Sequence, residues 1–96
     1  MYILSLTPHY QIDANWTEET NQHLGQHFNY LKTLFETGVM KHVGRTDMPS
    51  AHEDLHGYAI FEAADVGAAT AIMNNDPAIV NGIMTAKLLP YIIVFS

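Results

Sequence analysis

The sequence predicts an α+β domain of the ferredoxin-like, split βαβ kind: a four-stranded antiparallel sheet with two helices on one face. Apolar residues alternate near both ends of the chain and around residue 60, and three- and four-residue apolar steps run through two stretches between them. The order that results is strand, helix, strand, strand, helix, strand. With 96 residues, no internal repeat and no linker, the chain reads as one domain over residues 1–96.

The first strand is Met1 to Thr7, with Tyr2, Leu4 and Leu6 on one face and Ile3, Ser5 and Thr7 on the other. Pro8 ends it by removing a hydrogen-bond donor. The first helix starts at one of three cap signals, Asn15, Thr17 or Thr20. Leu24, Phe28, Leu31, Leu34 and Phe35 form its apolar stripe, and Gly38 is the expected stop. Trp16, just before the helix, reads as a staple against Leu24 or Thr20 rather than a stacking platform.

Val39 to Val43 forms a second strand closed by Gly44, and Thr46 to His56 reads as a mobile, breaker-rich loop. In that loop, His52, Glu53, Asp54 and His56 read as a solvated cluster, with a lid over a cleft as the sharper alternative. Gly57 to Phe61 is the third strand. Asp65 caps a small-residue helix that the Asn74-Asn75-Asp76-Pro77 turn ends, with one further turn over Ala78 to Gly82. Ala86 to Phe95 is the last strand. Its Tyr91, Ile93 and Phe95 point one way, Ile92 and Val94 the other, so both faces are apolar. At about 25 cal/mol per Å² of apolar area, a bare sheet face forgoes several kcal/mol, which predicts a homodimer through stacked sheet faces.

Composition excludes several function classes. Four Lys plus Arg against ten Asp plus Glu give a formal net charge of −6, too few cations for a run of phosphates, so nucleic acid and anionic membrane surfaces are poor partners. The chain has no cysteine, which removes disulfides, thiolate metal sites and thiol catalysis. No apolar run approaches the roughly 20 residues of a membrane span, and no signal peptide opens the chain, so a cytoplasmic protein is expected. The glycines form neither a dinucleotide fingerprint nor a phosphate loop, and the hydroxyl residues lack a nucleophile elbow, so no cofactor and no serine hydrolase chemistry is expected.

Six histidines remain as candidates for proton transfer. His23 and His27 stand four apart, a metal-ligand spacing, but the residue after His23 is Leu24 rather than glutamate and no third ligand follows, so no metal is expected. At about 100° per residue His27 lies about 50° from the middle of the apolar stripe and His23 about 90°. His27 therefore borders the core and reads as a satisfied boundary residue or as a functional base. Asp76, before Pro77, reads as a cap. Tyr2, Tyr58 and Tyr91 read as core or dimer-face residues, although a strand tyrosine near His27 would be able to orient a substrate.

From the first helix to the last strand the chain resembles the YCII-related, or YciI-like, family. The resemblance rests on His27, Tyr30 and Leu31 of the first helix, on Gly38 and Gly44, and on Asp76-Pro77 with Gly82. The spacings agree: eleven positions from His27 to Gly38, six between the glycines, and five from Pro77 to Gly82.

The resemblance implies a dimeric α+β barrel and a His/Asp active-site pair, which by position are His27 and Asp76. Likeness to catabolic enzymes for chlorinated hydroquinones and to muconolactone isomerases implies general acid-base chemistry of isomerase, lyase or dehydrochlorinase type on a small cyclic or aromatic acid. Tyr30, Arg45 and Tyr58 are then the candidate substrate contacts. Many members carry arginine three residues before the histidine, where this chain has Leu24, so Arg45 or Lys41 would have to take over its role. That departure supports the alternative of a non-catalytic dimeric module that binds a small ligand or serves as an accessory subunit. A purely structural association domain, with a filled interior and Asp76 only a cap, is the third reading.

Overall fold

The computed structural model describes residues Met1–Ser96. Strands β1 (Tyr2–Leu6), β2 (Met40–Arg45), β3 (Gly57–Phe61) and β4 (Met84–Leu88) form one antiparallel sheet in the order β2-β3-β1-β4. Helix α1 (Glu18–Glu36) joins β1 to β2, while α2 (Val66–Asn74) and α3 (Pro77–Val80) join β3 to β4. The insertion of β3 between β1 and β2 makes this the ferredoxin-like arrangement the element order predicts.

Strand register sorts the side chains between two faces. Tyr2 stands opposite Ala59 on one side and Leu88 on the other, and Leu4 opposite Gly57 and Ala86. These residues face the helices, and Tyr2, Leu4, Ala59, Met40 and Leu31 make the buried core. Ile3, Tyr58, Ile60 and Lys87 therefore lie on the opposite face, which no element of the chain covers. Tyr2 occupies β1, a central strand paired on both edges, so its backbone is held from two sides.

Local signals placed most boundaries. Thr17 is the N-cap of α1, with a reciprocal box in which its hydroxyl accepts from the Thr20 backbone N–H and the Thr20 hydroxyl accepts from the Thr17 N–H. Gly38, at φ +83°, turns the chain into β2. Asp65 caps α2 through a 2.7 Å bond from the Ala68 N–H.

Three sequence expectations need correction. The buried line of α1 runs through Thr20, Leu24, His27 and Leu31, while Phe28 and Phe35 are 59% and 57% exposed. Steps of three and four fit both lines, and the helix is rotated so that an imidazole, not a phenyl ring, faces inward. Strand β2 continues through Gly44 to Arg45, because Gly44 keeps its place opposite Tyr58 instead of turning. The further turn expected over Ala78 to Gly82 is found as α3, which Asp76 starts as soon as α2 ends.

The last strand is shorter than its apolar run. Leu89 N–H donates to the Met1 carbonyl and the Met1 amino group to the Leu89 carbonyl, after which Pro90 has no N–H to continue the ladder. Residues 90–96 leave the sheet, with Ile92 84% and Phe95 93% exposed. The 46–56 connection forms no helix or strand, and its two ends are joined: the Thr46 N–H donates to the His56 carbonyl, and the Thr46 hydroxyl accepts from the His56 N–H and donates to the Asp54 carbonyl. No helix is long and apolar enough to cross a membrane.

Candidate active site

At the centre of α1, His27 is 3% exposed and Asp76 is fully buried. Nδ1 of the imidazole lies 2.6 Å from Asp76 Oδ1. Asp76 is placed by its own backbone: its N–H bonds the Met73 carbonyl at the end of α2, and its carbonyl accepts from Ile79 and Val80 in α3. Its Oδ1 also accepts from the Ala78 N–H at 3.0 Å, so the cap reading holds alongside the pairing with His27. Its Oδ2 accepts from the Tyr2 hydroxyl at 2.9 Å. Three donors thus converge on one carboxylate, which accepts only, and the imidazole proton of the pair sits on Nδ1.

The other imidazole nitrogen is free of protein. Nε2 of His27 makes no hydrogen bond within the chain, yet every fully buried side-chain nitrogen or oxygen has a partner. Nε2 therefore opens to the cleft that His27 lines. That cleft, about 610 Å³, lies between α1 and the helix-facing side of the sheet and is walled mainly by apolar side chains, among them Leu4, Leu24, Phe28 and Leu31. Its volume is in the usual range for a small-molecule site.

Three parts of the chain complete the rim. Arg45 reaches the cleft from β2, and Met48, Ser50 and Leu55 from the 46–56 connection, whereas Tyr58 meets the wall from β3 while its side chain belongs to the uncovered face. Arg45 is the only Lys or Arg in the wall, is exposed, and takes part in no ion pair. Trp16 stands in the wall too, with its indole N–H donating 2.7 Å to the Tyr10 carbonyl, so its packing faces the cleft that Leu24 shares.

Other candidates fall elsewhere. The Tyr30 hydroxyl donates 2.7 Å to the Ile72 carbonyl and ties α1 to α2, outside the cleft wall. Lys41 donates to the Gly38 carbonyl at the end of α1. His23 meets Glu19 and Gln26 on the helix surface, and no group of three or more metal-ligating side chains is present. In the 46–56 connection, His52 is exposed and His56 contacts the Ser5 hydroxyl at 3.0 Å; neither lines the cleft, which the apolar members of that segment do instead.

Tyr2 is the member of the cluster that sequence reasoning missed. Burial first, then the negative charge of Asp76 and the hydrogen bond to it, push its hydroxyl well above the ordinary tyrosine value. Tyr30 is raised as well, by burial and then by the Asp76 charge. Both phenols stay protonated and act as donors only. The signal was present in the sequence: Tyr2 shares a face with Leu4 and Leu6, and a phenol drawn into a core needs a partner for its hydroxyl.

Comparison with known proteins places this chain in the YCII-related domain family, whose model matches residues 1–89. The match ends one residue after β4 closes, leaving the apolar tail outside it. None of the curated proteins matches the chain.

Proposed function

We propose that this YCII-related domain is a small-molecule enzyme in which His27 moves a proton and Asp76 orients it. The observation that carries the reading is the buried 2.6 Å contact behind an imidazole whose Nε2 opens to a mostly apolar cleft. A carboxylate on Nδ1–H keeps the ring in one tautomer and makes Nε2 the better base. The substrate class is a small cyclic or aromatic acid: apolar walls take the ring and Arg45 takes the carboxylate. Nε2 removes a proton from carbon, and the electron pair of that bond forms a new double bond. The proton then returns at another position, an isomerisation, or a leaving group departs with its own pair, a lyase or dehydrochlorinase step.

A homodimer through the uncovered sheet face belongs to the same proposal. Ile3, Tyr58 and Ile60 stand half-buried on that face, and the tail exposes Ile92, Val94 and Phe95. Covering such apolar surface stabilises by about 25 cal/mol per Å². With no cysteine to protect, the domain suits the cytoplasm.

Leu24 favours the second reading, a dimeric module that binds without turnover. It lines the cleft where the family pattern often has arginine, which leaves Arg45 as the only cation there.

The experiment is proton NMR in D2O of the protein with a panel of cyclic and aromatic carboxylic acids, chlorinated ones included. Deuterium incorporation, product formation or chloride release is the expected result, falling by roughly 10²- to 10⁴-fold in His27→Asn. Binding of panel acids without exchange moves the balance to the second reading. Undiminished turnover in His27→Asn would remove His27 from the chemistry.

A further inference from the structure

We infer that Tyr2 is a positioning residue for the pair: its hydroxyl fixes the Asp76 carboxylate so that Oδ1 meets His27 Nδ1–H and Nε2 is the nitrogen presented to the cleft.

A carboxylate on a short side chain turns about its last torsion, and a rotation that takes Oδ1 off the imidazole releases the ring tautomer. Here one oxygen is held by the Ala78 N–H and by His27, and the other by Tyr2. The Tyr2 anchor stands on a strand that is paired along both edges at this residue. The ring packs edge-on against Phe61 with centroids 5.7 Å apart, a contact that a phenylalanine at position 2 would keep. The core therefore accounts for the ring, and the hydroxyl is left with one partner in the chain, Asp76.

Tyr2 is no acid in its own right. It is fully buried, lies behind the cleft wall rather than in it and keeps its proton. The groups that bear on the pair are Tyr2 from β1, Asp76 ahead of α3, and Tyr30 from α1, whose hydroxyl is committed to Ile72. No Lys, Arg or Glu side chain bonds to His27 or Asp76.

The inference rests on His27 as proton acceptor only for its catalytic consequence. Its test needs no substrate, so it stands or falls separately from the enzyme reading. The ¹⁵N resonances of the His27 ring are followed against pH in the wild type, in Tyr2→Phe and in protein carrying 3-fluorotyrosine at position 2. In the wild type, neutral His27 is expected as the Nδ1–H tautomer alone. Losing the hydroxyl leaves the carboxylate more of its charge, so Tyr2→Phe should raise the His27 midpoint by on the order of half a pH unit. Fluorotyrosine, a stronger donor, should lower it. An unchanged midpoint in either protein, or an Nε2–H tautomer in the wild type, overturns the proposal. If Tyr2→Phe does not fold, the fluorotyrosine shift decides alone.

Discussion

His27 and Asp76, 49 positions apart in the chain, meet at 2.6 Å with both side chains out of water. Neither local element requires the other: α1 is complete without Asp76, and α3 needs only a cap. The contact exists because the antiparallel sheet sets α1 and α3 side by side and the rotation of α1 turns position 27 inward. A histidine–carboxylate pair buried in that manner is costly unless every polar atom is partnered, and here each one is, apart from the Nε2 that faces the cleft.

The double role of Asp76 separates it from an ordinary cap. Asp65→Ala removes one exposed cap bond and should cost about 1 kcal/mol of stability in urea unfolding. Asp76→Ala removes a cap and also strands the Tyr2 hydroxyl and the His27 N–H, so it should cost about 3 to 5 kcal/mol. Equal losses in the two variants would mean that the buried contacts contribute nothing beyond capping.

Alkaline stability follows from Tyr2. Its folded value is raised above the unfolded value of about 10, so the folded state keeps a proton that the unfolded state releases. The stabilisation is fully present below about pH 10 and is lost as pH rises above it, at up to about 1.4 kcal/mol per pH unit for one proton. Tyr30 acts in the same direction. Urea midpoints between pH 9 and 11.5 should fall more steeply in the wild type than in Tyr2→Phe, and parallel curves would contradict the linkage.

The rotation of α1 predicts opposite outcomes at neighbouring positions. Leu31 is 3% exposed in the core, so Leu31→Ala should cost about 2 to 5 kcal/mol. Phe28 is 59% exposed at the cleft, so Phe28→Ala should cost under about 1 kcal/mol while weakening any ligand that the cleft binds. A large stability loss at Phe28 would restore the stripe that periodicity suggested.

Sedimentation at micromolar concentration tests the sheet-face dimer. The wild type should run as a dimer, and Ile60→Lys, which puts a charge in the middle of the uncovered face, should run as a folded monomer. A monomeric wild type, or an Ile60→Lys dimer, would show that this face is not the interface.

The sequence by itself determined the features that act within a turn or along a strand. Alternation marked the first strand, expected over Met1 to Thr7 and found at Tyr2–Leu6, and Gly57–Phe61. Cap chemistry named Asp65 and narrowed the start of α1 to three residues, of which Thr17 is the cap, and Gly38 marked its end. The four-stranded order followed, because few topologies satisfy that succession of elements. His27 and Asp76 were singled out by spacings shared with a family, while periodicity alone left His27 at the margin of the core and Asp76 as a cap.

Tertiary structure alone decided which way α1 faces, since one apolar period fits two adjacent stripes through Leu24 and Leu31. It also decided that Tyr2, 74 residues from Asp76, completes the carboxylate's shell, and that Tyr30 ties two helices instead of lining the cleft. The apolar run after Leu88 looked like strand, yet Pro90 and the Met1–Leu89 bonds end the ladder and leave those side chains in water. Local sequence sets dihedral angles over a few residues. The partners of a buried polar group depend on strand register and helix rotation, which are settled only when the whole core packs.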